Sequence, residues 1–251
     1  MKTIFSVTIL LAVVAMLAIS IPVSAADTDS RIESSAKQSY VFKTYLQGDD
    51  IKIKSVDGVV TLTGKVLEES HKALAQETVA NLPGVKSVDN LLEIKGETPA
   101  KNSDAWLTTK VKMTLLFHSS VSAGATEVDV HDGIVTLNGN TSSPAQRELT
   151  SEYARDVDGV KGVVNEMIVK SNSKKTRTEG RKIDDASITA LVKMTLLYHR
   201  STSAINTKVE TNRGVVKLIG KAKNTGEISL ATKYASDVKG VKSVTNRMTI
   251  E

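Results

Sequence analysis

The sequence of 251 residues contains no cysteine, four prolines and one tryptophan, and aromatic residues make up only 4% of it. Without cysteine, the chain forms no disulfide and carries no lipid on an N-terminal Cys. After residue 25, no segment is apolar enough to cross a bilayer. We therefore expect a fold that depends on packing alone.

Common motifs of catalysis and metal binding are absent as well. The four histidines form no His-x-x-x-His pair, and the chain has no glycine-rich loop of the phosphate-binding kind. His118 and His199 occupy equivalent positions in two repeats, whereas His71 and His131 have no counterparts. We expect all four to be solvated or to lie at helix ends without partners. We also predict no catalytic residue, no cofactor and no metal.

The first 25 residues are typical of a secretory signal peptide. Lys2 precedes an apolar run from Ile4 to Ile19, which is followed by Pro22 and the small-residue sequence Val23-Ser24-Ala25. We expect cleavage after Ala25. Because the apolar run is slightly long, an uncleaved anchor is the alternative. A periplasmic or secreted protein fits this pattern best.

Positive charge is concentrated in one stretch of the chain. Removing residues 1–25 removes only Lys2, which leaves 32 basic and 28 acidic residues. Residues 171–182 hold five of these basic residues and one acidic residue, so the remainder is neutral in sum. A nucleic-acid-binding domain spreads its basic residues over a folded face, so we do not expect nucleic acid as a partner. The stretch is either a solvated linker or a site for anionic lipid head groups. Its five cations are Lys174, Lys175, Arg177, Arg181 and Lys182.

One sequence unit occurs three times. The strand motifs are VDGVVTLTG at 56–64, HDGIVTLNG at 131–139 and NRGVVKLIG at 212–220. Twenty residues after the last glycine of each motif, a second motif of the form Gly-Val-Lys-x-Val-x-Asn begins, at Gly84, Gly159 and Gly240. Equal spacings in triplicate indicate tandem domains. The predicted order is signal peptide (1–25), domain 1 (28–95), linker (96–102), domain 2 (103–170), basic linker (171–182) and domain 3 (183–251).

Each copy predicts an αββαβ unit. Asp57-Gly58 predicts a tight hairpin turn, and the strands on either side alternate apolar and polar residues. A helix with an apolar stripe follows and ends at Gly84, and the next strand runs parallel to the one before the helix. In domain 1, Ser30 and Glu33 form a capping-box sequence that predicts the start of the first helix. We predict an α+β fold, in which each domain is a three-stranded mixed sheet with two helices on one face.

This pattern, with its paired motifs, resembles the BON domain. The resemblance is carried by residues 57–64 and 84–90, by 132–139 and 159–165, and by 214–220 and 240–246. Copy three departs at the turn, where Arg213 replaces the aspartate. A signal peptide followed by BON repeats is similar to the osmotically inducible periplasmic proteins of Gram-negative bacteria. The resemblance implies association with phospholipid membranes and a role in osmotic or envelope stress, without a catalysed reaction.

The first helices of domains 2 and 3 share the copied stretches VKMTLLFHSS and VKMTLLYHRS, and each has two apolar faces. One face covers the sheet of its own domain, and the other, which we name the second face, needs a further partner. The second face comprises Trp106, Met113, Leu116 and Phe117 in domain 2, and Met194, Leu197 and Tyr198 in domain 3. It packs within or between domains, or it forms an adaptable contact surface for lipid or an unfolded protein.

Three functional hypotheses follow from these patterns. The leading one is a non-enzymatic periplasmic protein that binds envelope phospholipid through three weak modules acting together. The first alternative is a periplasmic chaperone that binds unfolded envelope proteins through the same second face. The other is a structural spacer. Exposure of the second face in the folded protein distinguishes these hypotheses, whereas the sequence does not indicate the oligomeric state.

Overall fold

The computed structural model describes residues 23–170, 182–202 and 207–251. Residues 1–22 of the expected signal peptide lie outside the described residues, and Val23–Ala25 form the start of the first helix. Four of the expected head-group contacts, Lys174, Lys175, Arg177 and Arg181, also lie outside them. Within the described ranges, no helix has both the length and the apolar character needed to cross a membrane.

Each domain has the predicted order of helices and strands. Domain 1 consists of α1 (Val23–Gln38), α2 (Tyr40–Thr44), β1 (Asp50–Val56), β2 (Val59–Val66), α3 (Glu69–Ala80) and β3 (Ser87–Ile94). Domain 2 consists of α4 (Asp104–Phe117), β4 (Thr126–His131), β5 (Ile134–Thr141), α5 (Pro144–Arg155), β6 (Gly162–Asn165) and β7 (Ile168–Val169). Domain 3 consists of α6 (Asp185–Tyr198), β8 (Thr207–Asn212), β9 (Val215–Ala222), α7 (Thr225–Ser236), β10 (Ser243–Asn246) and β11 (Thr249–Ile250).

The three sheets have the same mixed topology. In domain 1, β1 pairs antiparallel and β3 parallel with the central strand β2. In domains 2 and 3 the third strand is interrupted after Asn165 and Asn246, and both of its pieces run parallel to the central strand. The predicted α+β fold of three tandem αββαβ domains is therefore confirmed.

The start of the first helix differs from the capping-box prediction. α1 begins at Val23, so Ser30 lies inside the helix rather than before it. The Glu33 carboxylate instead accepts a hydrogen bond from the backbone N-H of Ser55, at 2.9 Å. A tertiary contact with β1 thus uses the carboxylate that the sequence assigned to a local cap.

The hairpin turns have the predicted left-handed backbone. Asp57 and Gly58 have φ values of 52° and 80°, and Arg213, which replaces the aspartate in copy three, has a φ of 51°. The carboxylate of Asp29, 28 residues upstream, accepts hydrogen bonds from both turn N-H groups at 2.8 and 3.0 Å. Asp104 and Asp185 hold the turns of domains 2 and 3 in the same way. The carboxylate accepts from backbone N-H groups, which do not depend on the side chain at the turn. The turn therefore keeps these hydrogen bonds when Arg213 replaces the aspartate.

The motif residues of each copy have structural roles. A Cβ on Gly64 would lie 2.0 Å from the carbonyl oxygen of Asp50, so no larger residue fits at this position. The Asn90 side-chain amide donates to the carbonyl of Lys72 at 3.1 Å, and its own oxygen accepts from the N-H of Leu92 at 3.2 Å. Asn165 and Asn246 make the equivalent contacts in the other copies. The repeated signature therefore specifies the fold rather than a chemical site.

The three domains share one hydrophobic core. The helix α6 of domain 3 packs against α3 of domain 1, α4 of domain 2 and α7 of its own domain, and it buries 11 of its 14 residues. The backbone N-H groups of Tyr40 and Val41 donate to Asp184 and Ser187 at the start of α6. The Lys193 ammonium lies 2.8 Å from the Glu77 carboxylate. A domain of this size buries little surface on its own. The contacts between domains therefore add buried surface that stabilises the fold.

Candidate functional site

The second face of the first helices is mostly interior. Met113, Phe117, Met194 and Tyr198 are at most 6% exposed. In this structure they are not available as a contact surface, which corrects the hypothesis that they touch lipid or a client protein. The reason is that α4 and α6 pack against each other and against domain 1, so the apolar side chains cover one another. The chaperone alternative relied on the same four residues and loses them as well.

An aromatic row joins the three domains at this buried face. The ring of Tyr45 in domain 1 meets the edge of Phe117 in domain 2 at a centroid distance of 5.6 Å, and Phe117 stacks on Tyr198 in domain 3 at 6.4 Å. Tyr40 meets Tyr45 edge-on at 5.8 Å. Such offset and edge contacts are favourable ring geometries. The row is therefore part of the junction between the domains.

Three residues of the second face retain exposure. Leu197 is 50% exposed, whereas Trp106 and Leu116 are partly buried. The Lys110 ammonium lies 3.9 Å from the centre of the Trp106 ring and 4.9 Å from that of Tyr198, so it covers two aromatic faces. Burial lowers the pKa of Lys110. The Trp106 ring is therefore covered by a cation rather than free for an apolar partner.

A basic groove lies where the three domains meet. Its volume is about 1250 Å³, and its walls come from α2, from the residues after α4 and from domain 3. The groove contains four cations: Lys182, Arg213, Lys239 and Lys242. Of the five predicted head-group contacts, only Lys182 lies within the described residues, and it is exposed at this groove.

The two carboxylates in the basic groove already accept hydrogen bonds from the protein. Asp184 accepts from the N-H of Tyr40 and from Ser187, and Asp185 accepts from the N-H groups of Arg213 and Gly214. Among the described residues, neither acid forms an ion pair with a groove cation. Four cations against two carboxylates leave the groove with a net charge of +2, which suits an anion.

Two of the groove cations are held in place by backbone carbonyls. The ammonium of Lys239 donates to the carbonyl of Leu116 at 2.8 Å, and burial lowers the pKa of this lysine. The Lys242 ammonium donates to the carbonyl of Arg213 at 2.9 Å. Arg213, Lys182 and Lys242 are exposed, so their charges face solvent at the rim.

The second polar feature is a buried pair of histidines between domains 2 and 3. His118 and His199 are the residues that end α4 and α6, and both are fully buried. Their Nε2 atoms lie 3.1 Å apart. Nδ1 of His199 is 3.2 Å from Oδ2 of Asp156, and Nδ1 of His118 is 3.3 Å from Oδ2 of Asp237 in a less well-aligned contact. The expectation that these histidines have no partners is wrong, although their position at helix ends is confirmed.

Tyrosines complete this cluster. His118 stacks on Tyr153 at 3.8 Å and His199 on Tyr234 at 3.9 Å. The Tyr153 hydroxyl donates to Asp237 at 2.7 Å, and the Tyr234 hydroxyl donates to Asp156 at 2.8 Å. We name these six residues the histidine cluster. The six residues form three pairs, each made of a residue in domain 2 and its counterpart 81 positions later in domain 3. Each domain makes the same contacts to the other domain that it receives from it, as in a two-fold dimer.

The backbone repeats this reciprocity. His118 pairs with Val238 and His199 with Val157 in isolated antiparallel bridges. The N-H of Ser119 donates to the carbonyl of Asp237 at 2.7 Å, and that of Arg200 donates to the carbonyl of Asp156 at 2.8 Å. The helix ends of both domains are therefore satisfied partly across the interface and partly by local bonds, such as that from the Thr202 hydroxyl to the carbonyl of Leu196.

The carboxylates of the histidine cluster are held in the charged form. Burial raises the pKa of Asp237, but the His118 contact and hydrogen bonds from Ser120 and Ser119 outweigh it, and the pKa lies well below its usual range. The pKa of Asp156 is lowered in the same way, because bonds from His199, Ser201 and Tyr234 outweigh burial. Burial also lowers the pKa of His118.

Sequence reasoning missed this cluster although a signal was present. Domains 2 and 3 share a histidine, a tyrosine and an aspartate at equal offsets, and domain 1 has Lys43, Thr78 and Asn81 there instead. A polar set common to two of three copies indicates a contact between those two copies. In the described part of the chain, no group of three or more His, Asp or Glu side chains could hold a metal ion.

Comparison with known proteins gives consistent similarities. A family model described as BON domain matches residues 28–96, 103–171 and 184–251. Osmotically-inducible protein Y of Escherichia coli is 31% identical over 146 residues, which cover 57% of this chain and 73% of that protein. Outer membrane lipoprotein DolP of Haemophilus influenzae is 30% identical over 112 residues, 44% of this chain and 58% of that protein.

Two further similarities were found. A 21 kDa hemolysin of Actinobacillus pleuropneumoniae is 33% identical over 117 residues, 45% of this chain and 59% of that protein. Among solved structures, CdsD, a structural protein of the type III secretion system of Chlamydia trachomatis, gives a TM-score of 0.24 at 16% identity, with 88% of this chain and 90% of that chain covered. A score this low carries no argument about fold or function.

Proposed function

The chain belongs to the BON-domain family, and on that premise we propose that it is a non-enzymatic periplasmic protein that binds the phospholipid surface of the envelope under osmotic or envelope stress. The names of two relatives, an osmotically-inducible protein and an outer membrane lipoprotein, support this setting. The basic groove is the observation that supports an anionic head group as the ligand.

The groove replaces the second face as the proposed contact. An apolar helix face was the expected route to the membrane, but its large side chains lie between the domains. Lys182, Arg213 and Lys242 offer exposed charge instead, and Lys182 directly follows the other four cations of the basic stretch in the sequence. Each cation near an anionic membrane surface contributes about 1 kcal/mol, so three of them already give useful binding.

Binding of this kind is electrostatic and depends on lipid charge. We expect residues 26–251 to sediment with vesicles that contain phosphatidylglycerol at low salt, and to sediment less with vesicles of phosphatidylcholine alone. High salt should weaken the interaction, because exposed charges are screened. Equal absence of binding to both vesicle types at low salt would contradict the proposal.

The groove can be tested against an equal change of charge elsewhere. Lys182→Glu, Arg213→Glu and Lys242→Glu together should weaken vesicle binding roughly a hundredfold, at about 1 kcal/mol for each lost cation. The matched control is Lys52→Glu, Lys54→Glu and Lys65→Glu on the exposed strand face of domain 1. If both triple variants lose the same affinity, binding reflects net charge and the groove is not the site.

A further inference from the structure

The contacts of the histidine cluster define how many protons it holds. Nδ1 of His199 makes a hydrogen bond with the Asp156 carboxylate, and Nδ1 of His118 lies 3.3 Å from the Asp237 carboxylate without a well-aligned bond. A bare nitrogen lone pair would be repelled by a carboxylate oxygen, which only accepts hydrogen bonds, so both positions favour a protonated Nδ1. The two Nε2 atoms face each other at 3.1 Å, where one can donate and the other accept. Two neutral imidazoles carry only two N-H groups, whereas protons on both Nδ1 atoms and one between the Nε2 atoms make three. In that arrangement the two rings share one additional proton.

We propose that His118 and His199 form a buried proton-binding site that couples domain 2 to domain 3, with the Nε2-H···Nε2 bond as the link. The site binds one proton between two imidazoles and closes only when the ends of α4 and α6 meet. The carboxylates of Asp156 and Asp237 orient the rings through Nδ1, as second partners orient histidines in other sites.

Loss of the shared proton removes either this bond or one Nδ1-H that faces a carboxylate. With both rings neutral, either the two Nε2 lone pairs face each other, or one ring turns a bare Nδ1 towards a carboxylate. Both arrangements leave buried acceptors without a donor, which is costly where water is excluded. Docking of the two domains is therefore expected to weaken as the pH rises through the release of this proton.

A second proton breaks the bond as well. Two imidazolium rings would point Nε2-H groups at each other over 3.1 Å, and burial opposes a second buried charge. Burial lowers the pKa of His118, which is consistent with a second proton entering only below the usual histidine range. Docking consequently passes through a maximum and falls on both sides. The two steps belong to the pair rather than to either ring.

Charged groups from both domains surround the pair. The titratable groups that face it come from every element packed on it: Asp156, Asp237, Tyr153, Tyr234, Arg200, Lys239 and the ion pair of Glu152 with Lys233. The two carboxylates are charged and the two tyrosines neutral in the usual pH range, since burial raises the tyrosine pKa values. The carboxylates favour a proton on the rings, whereas Arg200 and Lys239 oppose a second one.

The imidazole nitrogens report the site directly. In the chain labelled with ¹⁵N-histidine, we expect the His118 and His199 nitrogens to change together in two separate steps. Independent single titrations of the two rings, or two rings that stay neutral throughout, would overturn the proposal.

Domain docking provides the second readout. The chain has no cysteine, so Asn140→Cys on β5 and Lys221→Cys on β9 give one label in each domain at exposed positions. At a urea concentration that separates the two labels in half of the molecules near neutral pH, we expect the docked fraction to fall in both acid and alkali. Beyond each limit the docking constant should change by up to about tenfold per pH unit, since one proton is linked to each step.

A variant without titratable rings separates this mechanism from general pH effects. His118→Gln with His199→Gln retains a donor and an acceptor in each side chain but binds no proton, so its docked fraction should not pass through the same maximum. The same pH profile in this variant and in the unmodified chain would overturn the proposal. The ¹⁵N measurement uses unmodified histidines and stands even if the double variant does not fold.

Discussion

The helices α4 and α6 carry nearly the same seven residues, VKMTLLF and VKMTLLY, yet α4 buries 6 of its 14 residues and α6 buries 11. The copied stretch does the same work in both domains, because it covers the sheet of its own copy. The difference lies earlier in each helix, where Lys110 of α4 corresponds to Leu191 of α6 at the offset of 81. Burial of a repeated segment is thus decided by what packs on it.

Small and apolar residues let domain 1 approach α6. Ser187 and Ala190 in α6 stand where α4 has Trp106 and Thr109, and both are buried. With these short side chains, α3 of domain 1 packs directly against α6. In α4, Trp106 and the charged Lys110 occupy the corresponding surface and leave it partly exposed. A few residue differences on one face of the helix therefore place α6, rather than α4, at the centre of the molecule.

The largest expected effect on stability comes from exchanging the residue types at Lys110 and Leu191. Leu191→Lys would place an unpaired ammonium at a fully buried position of α6, and we expect the free energy of unfolding to fall by about 3 kcal/mol or more. Urea denaturation measures this change. The reciprocal variant Lys110→Leu is the control and should alter stability by less than about 1 kcal/mol, because Lys110 is only half-buried. Equal costs in the two helices would contradict the asymmetry.

The ends of the two helices are expected to respond symmetrically and with pH dependence. Asp237→Asn removes the charged acceptor at the end of α4, and we expect a loss of about 2 kcal/mol at neutral pH. The folded-state pKa of Asp237 lies below its ordinary value of 3.8, so its carboxylate stabilises the fold above that value. The contribution is lost as the pH falls through the folded-state pKa. The difference in the free energy of unfolding between the variant and the unmodified chain should therefore become smaller in acid.

The comparison for this variant is Asp156→Asn, which changes the matching carboxylate after α5, where it contacts His199 at the end of α6. We expect a similar loss, and Asp129→Asn on the exposed face of β4 should have little effect at any pH. A constant difference between pH 7 and strong acid would show that Asp237 does not act through its charge.

The tyrosine hydroxyls should make a smaller and equal contribution. Tyr153→Phe and Tyr234→Phe each remove one hydrogen bond to a charged carboxylate while the stacked ring remains, and each should cost about 1.5 kcal/mol. Thermal or urea unfolding of both variants measures this. A cost in only one of them would show that the two halves of the interface are not energetically equivalent.

The smallest effect is expected at the ion pair of α6. Lys193→Ala should reduce stability by about 0.5 kcal/mol or less, because its bond to Glu77 is partly exposed. Its counterpart in α4 is the exposed Lys112, and Lys112→Ala should cost less still. A double-mutant cycle of Lys193 and Glu77 at low and high salt isolates the pair. A coupling energy that does not respond to salt would contradict a screened surface interaction.

The fold was predictable because its signals repeat. Three spacings of 20 residues, the Asp-Gly turns and the strand alternation each indicated the αββαβ unit, and errors in one copy were corrected by the others. The turn supports at Asp29, Asp104 and Asp185 were not predictable from local pattern, since each contact spans 28 residues or more. Local patterns specify elements, whereas long-range hydrogen bonds depend on the finished fold.

The candidate site was less predictable. Periodicity showed that α4 and α6 have a second apolar face, but it could not show whether protein or solvent covers Phe117 and Tyr198. The histidines were interpreted one by one, as groups without local partners, and their actual partners are 35 or more positions away in sequence. The basic groove has the same origin, because Lys182, Arg213 and Lys242 converge only when domain 3 has folded.

The two-fold exchange of residues between domains 2 and 3 has a consequence for assembly. A surface that is complementary to its own copy can pair equally well with the same surface of a second chain. The two copies here lie on one chain, about a dozen residues apart in sequence, so each is present to the other at an effective concentration on the order of millimolar. Pairing within one chain therefore prevails at ordinary protein concentrations. Separating the two copies onto different chains, or shortening the connection until it cannot span the interface, would convert the same contacts into exchange of domains between molecules.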